Sequence, residues 1–402
     1  MSTLSEKILK GDAGSFVDVV VDRALAHDGT GVQALIAFRE MGAGRISKPD
    51  RVSIVYDHIV PANNSTTADL QAELRRFALD NGMDFHDIGE GICHQVMSEG
   101  SVTPGEIVVG ADSHTCTMGA FGAFATGVGA SDMASIWATG ETWFKVPETI
   151  NIRLEGKLSK YTEAKDAALR YIGLLGAGGA TYKAIEFTGD NNLEMDDRLT
   201  ISNMSIESGA KAGLFYADDV TCRYLRGHGR DAVPQKAEDC DYIREETIRL
   251  DDLEPLLAVP HRVDDVKPVS DFEGTPLDQV FVGTCTNGRY GDLKRFADIV
   301  KGKRVKVRTI VVPASRAVLL KAVDTGVLRD IIESGAVVGN PGCGPCLGAH
   351  QGVLGEGETG LSTANRNFRN RMGVGAKYFL SSPTTAAFSA LKGEITSPGD
   401  FL

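Results

Sequence analysis

Short runs of β-branched residues that lead directly into polar, glycine-rich loops recur along this chain of 402 residues. Residues of this type favour β-strands, and the glycines and prolines after them favour turns. The clearest runs lie at residues 51–56, 107–110, 280–283, 305–312 and 336–339. Segments with helical periodicity intervene, such as residues 69–80, which end at Asn81-Gly82. The pattern predicts an α/β fold that binds its ligands at the carboxyl ends of the strands.

The length and composition of the chain predict more than one domain. With 42% hydrophobic residues, the chain has enough apolar surface for several cores. A strand-like run begins at Thr149, two residues after Pro147, and a charged, proline-punctuated stretch occupies residues 230–270. We therefore expect three α/β domains, at residues 1–147, 148–265 and 266–402.

Charge and hydropathy exclude several classes of protein. The formal net charge of -12 argues against general affinity for nucleic acids or anionic membranes, which are polyanions. No segment approaches the length of about 20 apolar residues that spans a bilayer, and the first residues contain no signal-peptide core. We expect a cytoplasmic protein that binds neither nucleic acid nor membrane.

Three of the seven cysteines are arranged as ligands of one metal cluster. Cys343 and Cys346 lie in Pro-Gly-Cys-Gly-Pro-Cys, and Cys285 lies in a Gly-Thr-Cys-Thr-Asn-Gly loop after a predicted strand. An iron-sulfur cube needs four ligands. A cube held by three protein sulfurs keeps one iron free to bind a substrate oxygen, so these cysteines predict a cluster that acts as a Lewis acid.

Other interpretations of these cysteines stay open. Cys343 and Cys346 also match the dithiol of thiol-disulfide oxidoreductases, which would not need Cys285. An electron-transfer iron-sulfur protein would need the cysteines but none of the polar motifs described next. Structural zinc is disfavoured, because the remaining cysteines show no paired spacing and are expected to be buried as small apolar side chains; they are Cys93, Cys116, Cys222 and Cys240.

Histidines follow acidic residues in the loops after two predicted strands. Asp57 directly precedes His58, and Asp112 lies two residues before His114. A nearby carboxylate orients an imidazole and raises its pKa, so we expect both pairs in an active site rather than in surface turns. His94, in Gly-Ile-Cys-His-Gln, is a further candidate.

Three arginines within a short segment follow the cysteine pair of this acidic chain; they are Arg366, Arg369 and Arg371. Such a run usually forms a solvated basic face. Guanidinium groups also match the geometry of carboxylates, and we therefore favour recognition of an anionic ligand.

Together, these motifs resemble the aconitase family, in particular the large subunits of its two-chain members, the isopropylmalate dehydratases and homoaconitases. The resemblance covers nearly the whole chain and follows the order of the family motifs: Asp57-His58, Gly91-Ile-Cys-His94-Gln, Asp112-Ser-His114-Thr, Cys285-Thr-Asn-Gly-Arg, Pro-Gly-Cys343-Gly-Pro-Cys346 and Asn365-Arg366-Asn-Phe. It implies three α/β domains around a central iron-sulfur site, without the mobile fourth (swivel) domain of the single-chain aconitases.

The resemblance also implies a role for each site residue. One [4Fe-4S] cluster per chain would be held by Cys285, Cys343 and Cys346, and its unligated iron would take up the hydroxyl and a carboxylate of the substrate. Asp57 with His58 resembles the proton donor to the departing hydroxyl, while Asp112, His114 and His94 surround the open iron. The other implied residues are a middle-domain carboxylate near that iron, Glu186, and substrate-binding residues Gln33, Asn365, Arg366 and Arg371; Arg369 occupies a position that the family fills variably.

The implied activity is that of a hydro-lyase that dehydrates and rehydrates a 2-hydroxy di- or tricarboxylic acid. We expect isomerisation of 3-isopropylmalate to 2-isopropylmalate in leucine biosynthesis, with homoaconitase chemistry on homocitrate, homoaconitate and homoisocitrate, or another substituted malate, as the alternative. In the single-chain aconitases the swivel domain supplies the serine base. The resemblance therefore implies a separate small subunit that supplies this base and further substrate contacts.

Overall fold

The computed structural model describes residues 2–235 and 240–401. Residues 236–239, inside the predicted second domain, and the first and last residues of the predicted first and third domains lie outside the described residues. The strands form three sheets and a two-stranded ribbon, and each sheet is built from one continuous part of the chain. Among the described residues, no helix is long and apolar enough to cross a membrane.

The first part of the chain forms a parallel sheet of five strands. Its elements are α1 Leu4–Leu9, β1 Phe16–Val20, β2 Arg23–His27, α2 Thr30–Glu40, β3 Val52–Val55, α3 Ser65–Asp80, β4 Asp84–His86, α4 Cys93–Gly100, β5 Ile107–Gly110, β6 Phe124–Gly127, α5 Ala130–Thr139 and β7 Glu141–Lys145. The strand order is β4-β3-β2-β5-β6, and β1 pairs with β7 in the antiparallel ribbon. The order reverses between β2 and β5, and the crevice at such a reversal is a usual place for a ligand.

The second part forms a parallel sheet of four strands in the order β10-β9-β8-β11. Its elements are β8 Thr149–Glu155, α6 Ala164–Leu175, β9 Ala184–Thr188, α7 Met195–Asn203, β10 Ala212–Phe215, α8 Asp219–Gly227 and β11 Arg244–Arg249. Helix α7 packs against the 3-10 helix Ser113–Phe121, which follows β5. This contact joins the second part to the ligand-binding edge of the first sheet.

The third part forms a mixed sheet of seven strands. Its elements are β12 Leu256–Ala258, β13 Val266–Pro268, β14 Gln279–Val282, α9 Thr284–Asn287, α10 Tyr290–Val300, β15 Arg308–Val311, α11 Arg316–Asp324, α12 Val327–Glu333, β16 Val337–Val338, β17 Thr359–Ser362, β18 Lys377–Leu380 and α13 Pro383–Lys392. The order is β13-β12-β18-β17-β14-β15-β16, and only the pairings of β12 are antiparallel. Here the order reverses between β14 and β17.

The sequences of the central strands follow from their burial. Parallel strands with helices on both faces are buried on both sides, so their apolar residues run on without alternation. Every residue of β3, β5, β10 and β14 is buried. Each sheet has its own core, represented by Ile54 in the first, Ile152 in the second and Val280 in the third.

The structure confirms the predicted strands but changes some of their limits. The run at 305–312 contains β15 at 308–311, and the run at 336–339 contains the short edge strand β16. The helix predicted at 69–80 begins at Ser65, because the Asn64 side chain accepts a hydrogen bond from the backbone N–H of Thr67 and caps the helix.

Two further expectations have different outcomes. Strand β12 precedes the predicted division between residues 265 and 266 but already pairs in the third sheet, and the division into three domains stays a prediction. Of the four cysteines outside the predicted cluster site, Cys93, Cys116 and Cys222 are buried, whereas Cys240 is only half-buried.

Candidate active site

Loops of the first and third sheets line one cavity of ≈ 340 Å³. These loops follow the carboxyl ends of parallel strands, which include β2 and β5 at the first reversal of strand order and β14 and β17 at the second. The predicted site residues on its wall are Gln33, His58, His94, Asp112, His114, Cys285, Cys343, Cys346, Asn365, Arg366 and Arg371. Asp57 lies behind His58, and Glu186 lies elsewhere.

Cys285 lies in the short helix α9, directly after β14. The preceding residue, Thr284, has a φ of 76°, a conformation that β-branched residues rarely adopt, so the chain turns sharply here. The Sγ atom of Cys285 accepts hydrogen bonds from Asn203 Nδ2 at 3.2 Å and from Asn365 Nδ2 at 3.4 Å. Arg289 donates to the carbonyl oxygen of Cys285 at 2.7 Å and holds the loop in place.

Cys343 and Cys346 lie in the loop after β16. The backbone N–H of Cys343 donates to the carbonyl oxygen of Asp57 at 2.8 Å, which ties the third sheet to the first. A Cβ atom at Gly342 would meet that same oxygen at 2.9 Å, so this close approach requires glycine. The Nη2 atom of Arg371 lies 4.0 Å from Cys346 Sγ.

The three sulfurs suit a metal cluster better than dithiol chemistry. All three cysteines are buried free thiols that line the same cavity. Burial raises the pKa of Cys285 to about 12 and the pKa of Cys343 well above its usual range. Thiol-disulfide exchange needs a thiolate, which such surroundings disfavour, whereas a bound metal displaces the thiol proton. The residues present therefore fit a cluster held by three cysteines.

Asp112 is the centre of the histidine group. It follows β5, and its Oδ1 atom accepts a hydrogen bond from the backbone N–H of His114 at 2.7 Å. Its carboxylate oxygens lie 3.3 Å from His94 Nε2, 3.6 Å from His58 Nε2, 3.7 Å from His114 Nδ1 and 3.8 Å from His27 Nε2. Burial opposes ionisation, but His94 and His114 outweigh it and hold the pKa of Asp112 well below its usual range. One carboxylate thus faces four imidazoles.

His58 is held by carboxylates on more than one side. Its Nδ1 atom lies 2.6 Å from Asp57 Oδ1, and its ring stacks on His27 with centroids 3.6 Å apart. Burial lowers the pKa of His58, but Asp57 and then Asp112 outweigh it and raise the pKa to about 10. His58 is therefore an imidazolium at neutral pH.

Asp28 fixes the backbone of this loop. Its carboxylate accepts hydrogen bonds from the backbone N–H groups of Asp57, His58 and Ile59 at 3.2, 2.9 and 2.9 Å. The side chain of Gln71 donates to it at 3.1 Å. Asp28 thus sets the direction in which Asp57 and His58 face.

His94 differs from His58 in charge. It lies in the first turn of α4, and burial lowers its pKa to about 4, although the charge of Asp112 opposes the change. His94 is therefore neutral at the pH where His58 is charged. The backbone N–H of Cys93, beside it, donates to Asp57 Oδ2 at 2.7 Å. The cavity thus has a cationic and a neutral imidazole on the same carboxylate.

The prediction that Glu186 lies near the open iron is wrong. Glu186 is in the middle of β9, where it accepts hydrogen bonds from Leu4 N at 2.6 Å and from the hydroxyls of Tyr216 and Tyr242, each at 3.0 Å. It anchors the N-terminal helix α1 and does not line the cavity. The middle-part carboxylate beside the site is Glu207, whose Oε1 atom lies 2.9 Å from His114 Nε2.

Arginines and amides also line the cavity. Arg366 donates from Nε to Glu207 Oε1 at 2.8 Å, and Asn365 follows β17 with its amide against Cys285. Two buried polar atoms of the wall, Arg371 Nε and Thr30 Oγ1, have no hydrogen-bond partner among the described residues. Buried polar groups are normally paired, so this wall is suited to a polar or anionic ligand.

Sequence reasoning missed several residues of the site. His27 is the last residue of β2, and Asp28 follows it. The pattern of polar residues at strand ends could therefore have identified both. Asn203 and Glu207 lie at the end of α7 and in the next 3-10 turn, where no strand end marks them. The packing of this segment against the 3-10 helix after β5 brings them against residues that line the cavity.

The chain is similar to known proteins over nearly its whole length. The family model described as aconitase family (aconitate hydratase) matches residues 4–276 and 260–393. The probable methanogen homoaconitase large subunit of Methanosarcina mazei is 53% identical over 94% of this chain and 98% of that protein. The probable 3-isopropylmalate dehydratase large subunit of Methanothermobacter thermautotrophicus is 47% identical over 99% of each chain.

One more relative and one solved structure are also similar to this chain. The methanogen homoaconitase large subunit of Methanocaldococcus jannaschii is 46% identical over 99% of this chain and 100% of that protein. The crystal structure of Thermococcus kodakaraensis aconitase X in its holo-form superposes with a TM-score of 0.56 over 95% of this chain and 87% of that chain. Its sequence identity is 12%, so this likeness concerns the fold.

Proposed function

Because this chain belongs to the aconitase family, we propose that it is the large, cluster-bearing subunit of a hydro-lyase acting on a 2-hydroxy di- or tricarboxylic acid. One observation carries the proposal: three cysteines, four histidines around one carboxylate and two arginines share a single cavity. Such a site combines metal binding, proton transfer and carboxylate recognition. All seven cysteines are free thiols, which supports a cytoplasmic location.

Cys285, Cys343 and Cys346 would hold the cluster. When bound, a [4Fe-4S] cluster with one iron free of protein ligands supplies a Lewis acid for the hydroxyl group of the substrate. Asn203 and Asn365 orient Cys285 through their hydrogen bonds to its sulfur. Arg371 balances negative charge beside Cys346.

His58 is the proposed proton donor to the departing hydroxyl. Hydroxide is a poor leaving group unless it is protonated or bound to a metal. The Nδ1 atom of His58 is hydrogen-bonded to Asp57, which fixes the ring. The proton would therefore leave from Nε2, which lies 3.6 Å from Asp112. His94, which stays neutral, and His114, which is oriented by Glu207, are proposed to hold the water or hydroxide of the reaction.

Arg366 and Arg371 are the proposed anchors for the substrate carboxylates, with Gln33 and Asn365 beside them. Removal of a proton next to a carboxylate builds carbanion-like charge, and a guanidinium group stabilises that charge. Glu207 holds Arg366 through Nε and leaves its terminal N–H groups for a ligand. The unpaired Nε of Arg371 offers another donor.

The base that removes the proton is proposed to come from a separate small subunit that carries the swivel domain. The names of the relatives, which are large subunits, support such a partner. Binding of that subunit would place a serine over the cavity and add substrate contacts.

The substrate is proposed to be 3-isopropylmalate, isomerised to 2-isopropylmalate in leucine biosynthesis. Homoaconitase chemistry on homocitrate is the second candidate, and a specific observation favours it: the 53% identical relative carries that name. The two substrates share the malate core that Arg366 and Arg371 would bind. They differ in the side chain of that core.

The proposal is tested with anaerobically reconstituted protein and candidate small subunits. We expect a brown protein with absorbance near ~400 nm, and formation of the enoic acid only when a small subunit is present. 3-Isopropylmalate and homocitrate are compared at equal concentration. A cluster-loaded chain that is fully active alone would refute the need for a partner, and a protein that never takes up a cluster would refute the proposed activity.

A further inference from the structure

Lys165 is a fully buried lysine close to the cysteine site. Its side chain is 0% exposed, and it lies in the first turn of α6. The Nζ atom donates to the carbonyl oxygens of Thr363 and Ala364 at 2.9 and 2.6 Å. These carbonyls belong to the loop after β17, directly before Asn365.

The apoprotein gives Lys165 little compensation for its charge. Among the described residues, no carboxylate oxygen lies within ion-pair distance of Nζ, and burial raises the pKa values of the nearby Asp166 and Asp292 to about 8 and about 7. The first turn of a helix is also an unfavourable place for a cation. A buried charge normally has a partner of opposite sign. Its position therefore indicates a partner that the protein atoms alone do not provide.

The groups that become negative on metal binding are close to Lys165. Burial lowers the pKa of Lys165 to about 7 in the apoprotein, and negative charge on Cys285 and Cys346 opposes that change. The segment that accepts its hydrogen bonds also carries Asn365, whose amide donates to Cys285 Sγ. The three thiolates outweigh the positive charge of a [4Fe-4S] core, so the ligated cluster is an anionic group.

We propose that Lys165 is a positioning residue that balances the negative charge of the cluster and its three thiolates and raises the reduction potential of the cluster. The inference rests on the proposed function, because it needs the cluster. A buried ammonium favours the state with one more electron. Net charge and hydrogen bonds around the sulfurs are the usual means by which a protein sets such a potential.

The test is a redox titration of the reconstituted full-length chain, followed by electron paramagnetic resonance. Dithionite supplies one electron to each cluster, and no bond forms or breaks. Lys165→Gln keeps an N–H donor for the two carbonyls but removes the charge, Lys165→Met removes both, and Lys165→Arg keeps the charge. Lys157→Met, at an exposed lysine that precedes the same helix, is the matched control.

We expect Lys165→Gln and Lys165→Met to raise the ratio of oxidised to reduced cluster roughly tenfold at a fixed potential, about 59 mV for one electron. Lys165→Arg and Lys157→Met should remain close to the unmodified protein. A folded, cluster-loaded Lys165→Gln with an unchanged potential would overturn the inference. The inference would also be overturned if the apoproteins of Lys165→Gln and Lys165→Met failed to fold while Lys165→Arg folded. The charge would then be needed for the stability of the protein and not for the cluster. A failure of the unmodified chain to take up a cluster would instead contradict the proposed function.

Discussion

The imidazoles around Asp112 differ in charge. The Asp112 carboxylate faces four imidazoles; among them, His114 also contacts Glu207 at 2.9 Å, and His58 contacts a second carboxylate, Asp57, at 2.6 Å. His58 is charged for that reason, whereas burial keeps His94 neutral. A charged imidazole and a neutral imidazole thus lie beside the same carboxylate.

Exchange of Glu207 should impair catalysis, whereas exchange of Glu186 should impair stability. In Glu207→Gln, His114 and Arg366 lose a charged partner, and we expect a roughly 10–100-fold loss of kcat/KM in the complex with the small subunit. In Glu186→Gln, the anchor of α1 is weakened, so the Tm should fall while kcat stays unchanged. Steady-state kinetics and thermal melts distinguish the two. Equal losses of kcat in both variants would restore Glu186 to the site.

The thermal stability of the protein at acidic pH should depend on Asp28, which holds the loop at Asp57. Burial opposes ionisation of Asp28, but His27 and His58 outweigh it and hold the pKa of Asp28 below its usual value. A carboxylate with a lowered pKa stabilises the fold above its ordinary pKa and loses that contribution as the pH falls. Between about pH 5 and about pH 3, the Tm should therefore fall less steeply in Asp28→Asn than in the unmodified protein.

The control for this prediction is Asp80→Asn, at an exposed position. Its acid profile should match that of the unmodified protein. At neutral pH, Asp28→Asn should be less stable by about 1–3 kcal/mol, because three backbone N–H groups lose a charged acceptor. Parallel acid profiles of Asp28→Asn and the unmodified protein would contradict the role given to Asp28.

The site residues differ in how far sequence could identify them. Asp57, Asp112, Cys285 and Asn365 follow parallel strands, and strand ends can be recognised from β-branched runs and the loops after them. Glu207 has no such signal, because a 3-10 turn after a helix brings it to His114. Glu186 is implied only by the resemblance, and it lies inside β9, where its side chain accepts a hydrogen bond from the backbone of α1.

At the level of elements, the loop after the cysteine pair depends on one glycine. Gly348 ends the 3-10 turn of Cys346 with a φ of 76°, and a Cβ atom there would meet the carbonyl oxygen of Arg371 at 2.2 Å. Gly348→Ala should therefore displace Arg371 and raise KM roughly tenfold, since about 1.4 kcal/mol of carboxylate binding corresponds to that factor.

Gly357→Ala is the matched control for Gly348→Ala. Gly357 has a φ of 81° and open space where the Cβ atom would lie, so both variants share the backbone penalty of roughly 1–2 kcal/mol but only one has the clash. Melting temperatures should fall in both variants, and KM should rise only in Gly348→Ala. An unchanged KM in Gly348→Ala would show that Arg371 does not depend on this contact.

Element limits were less predictable than element types. The periodicity of residues 69–80 identified a helix, but the cap at Asn64 sets its start, and polar residues of the first turn carry no apolar signal. Strand β12 lies before the predicted division at residue 266 but pairs with β18, which is far away in sequence. Pairing between distant segments cannot be read from local patterns.

At the level of the molecule, the cluster should stabilise the fold. Any group that binds the folded chain and not the unfolded chain raises its stability. Removal of iron under anaerobic conditions should lower the Tm by several degrees, and Cys285→Ser should have the Tm of the apoprotein and lack the absorbance near ~400 nm. Melts with and without iron measure both. A Cys285→Ser protein that retains the cluster would contradict the role of Cys285 as a ligand, and one with dithiol activity would favour the thiol-disulfide interpretation.

The three cysteines of the proposed cluster all lie in loops of one sheet, after β14 and β16. All three proposed sulfur ligands therefore come from a single polypeptide, and insertion of iron and sulfide would not require the proposed second chain. Maturation could then precede assembly.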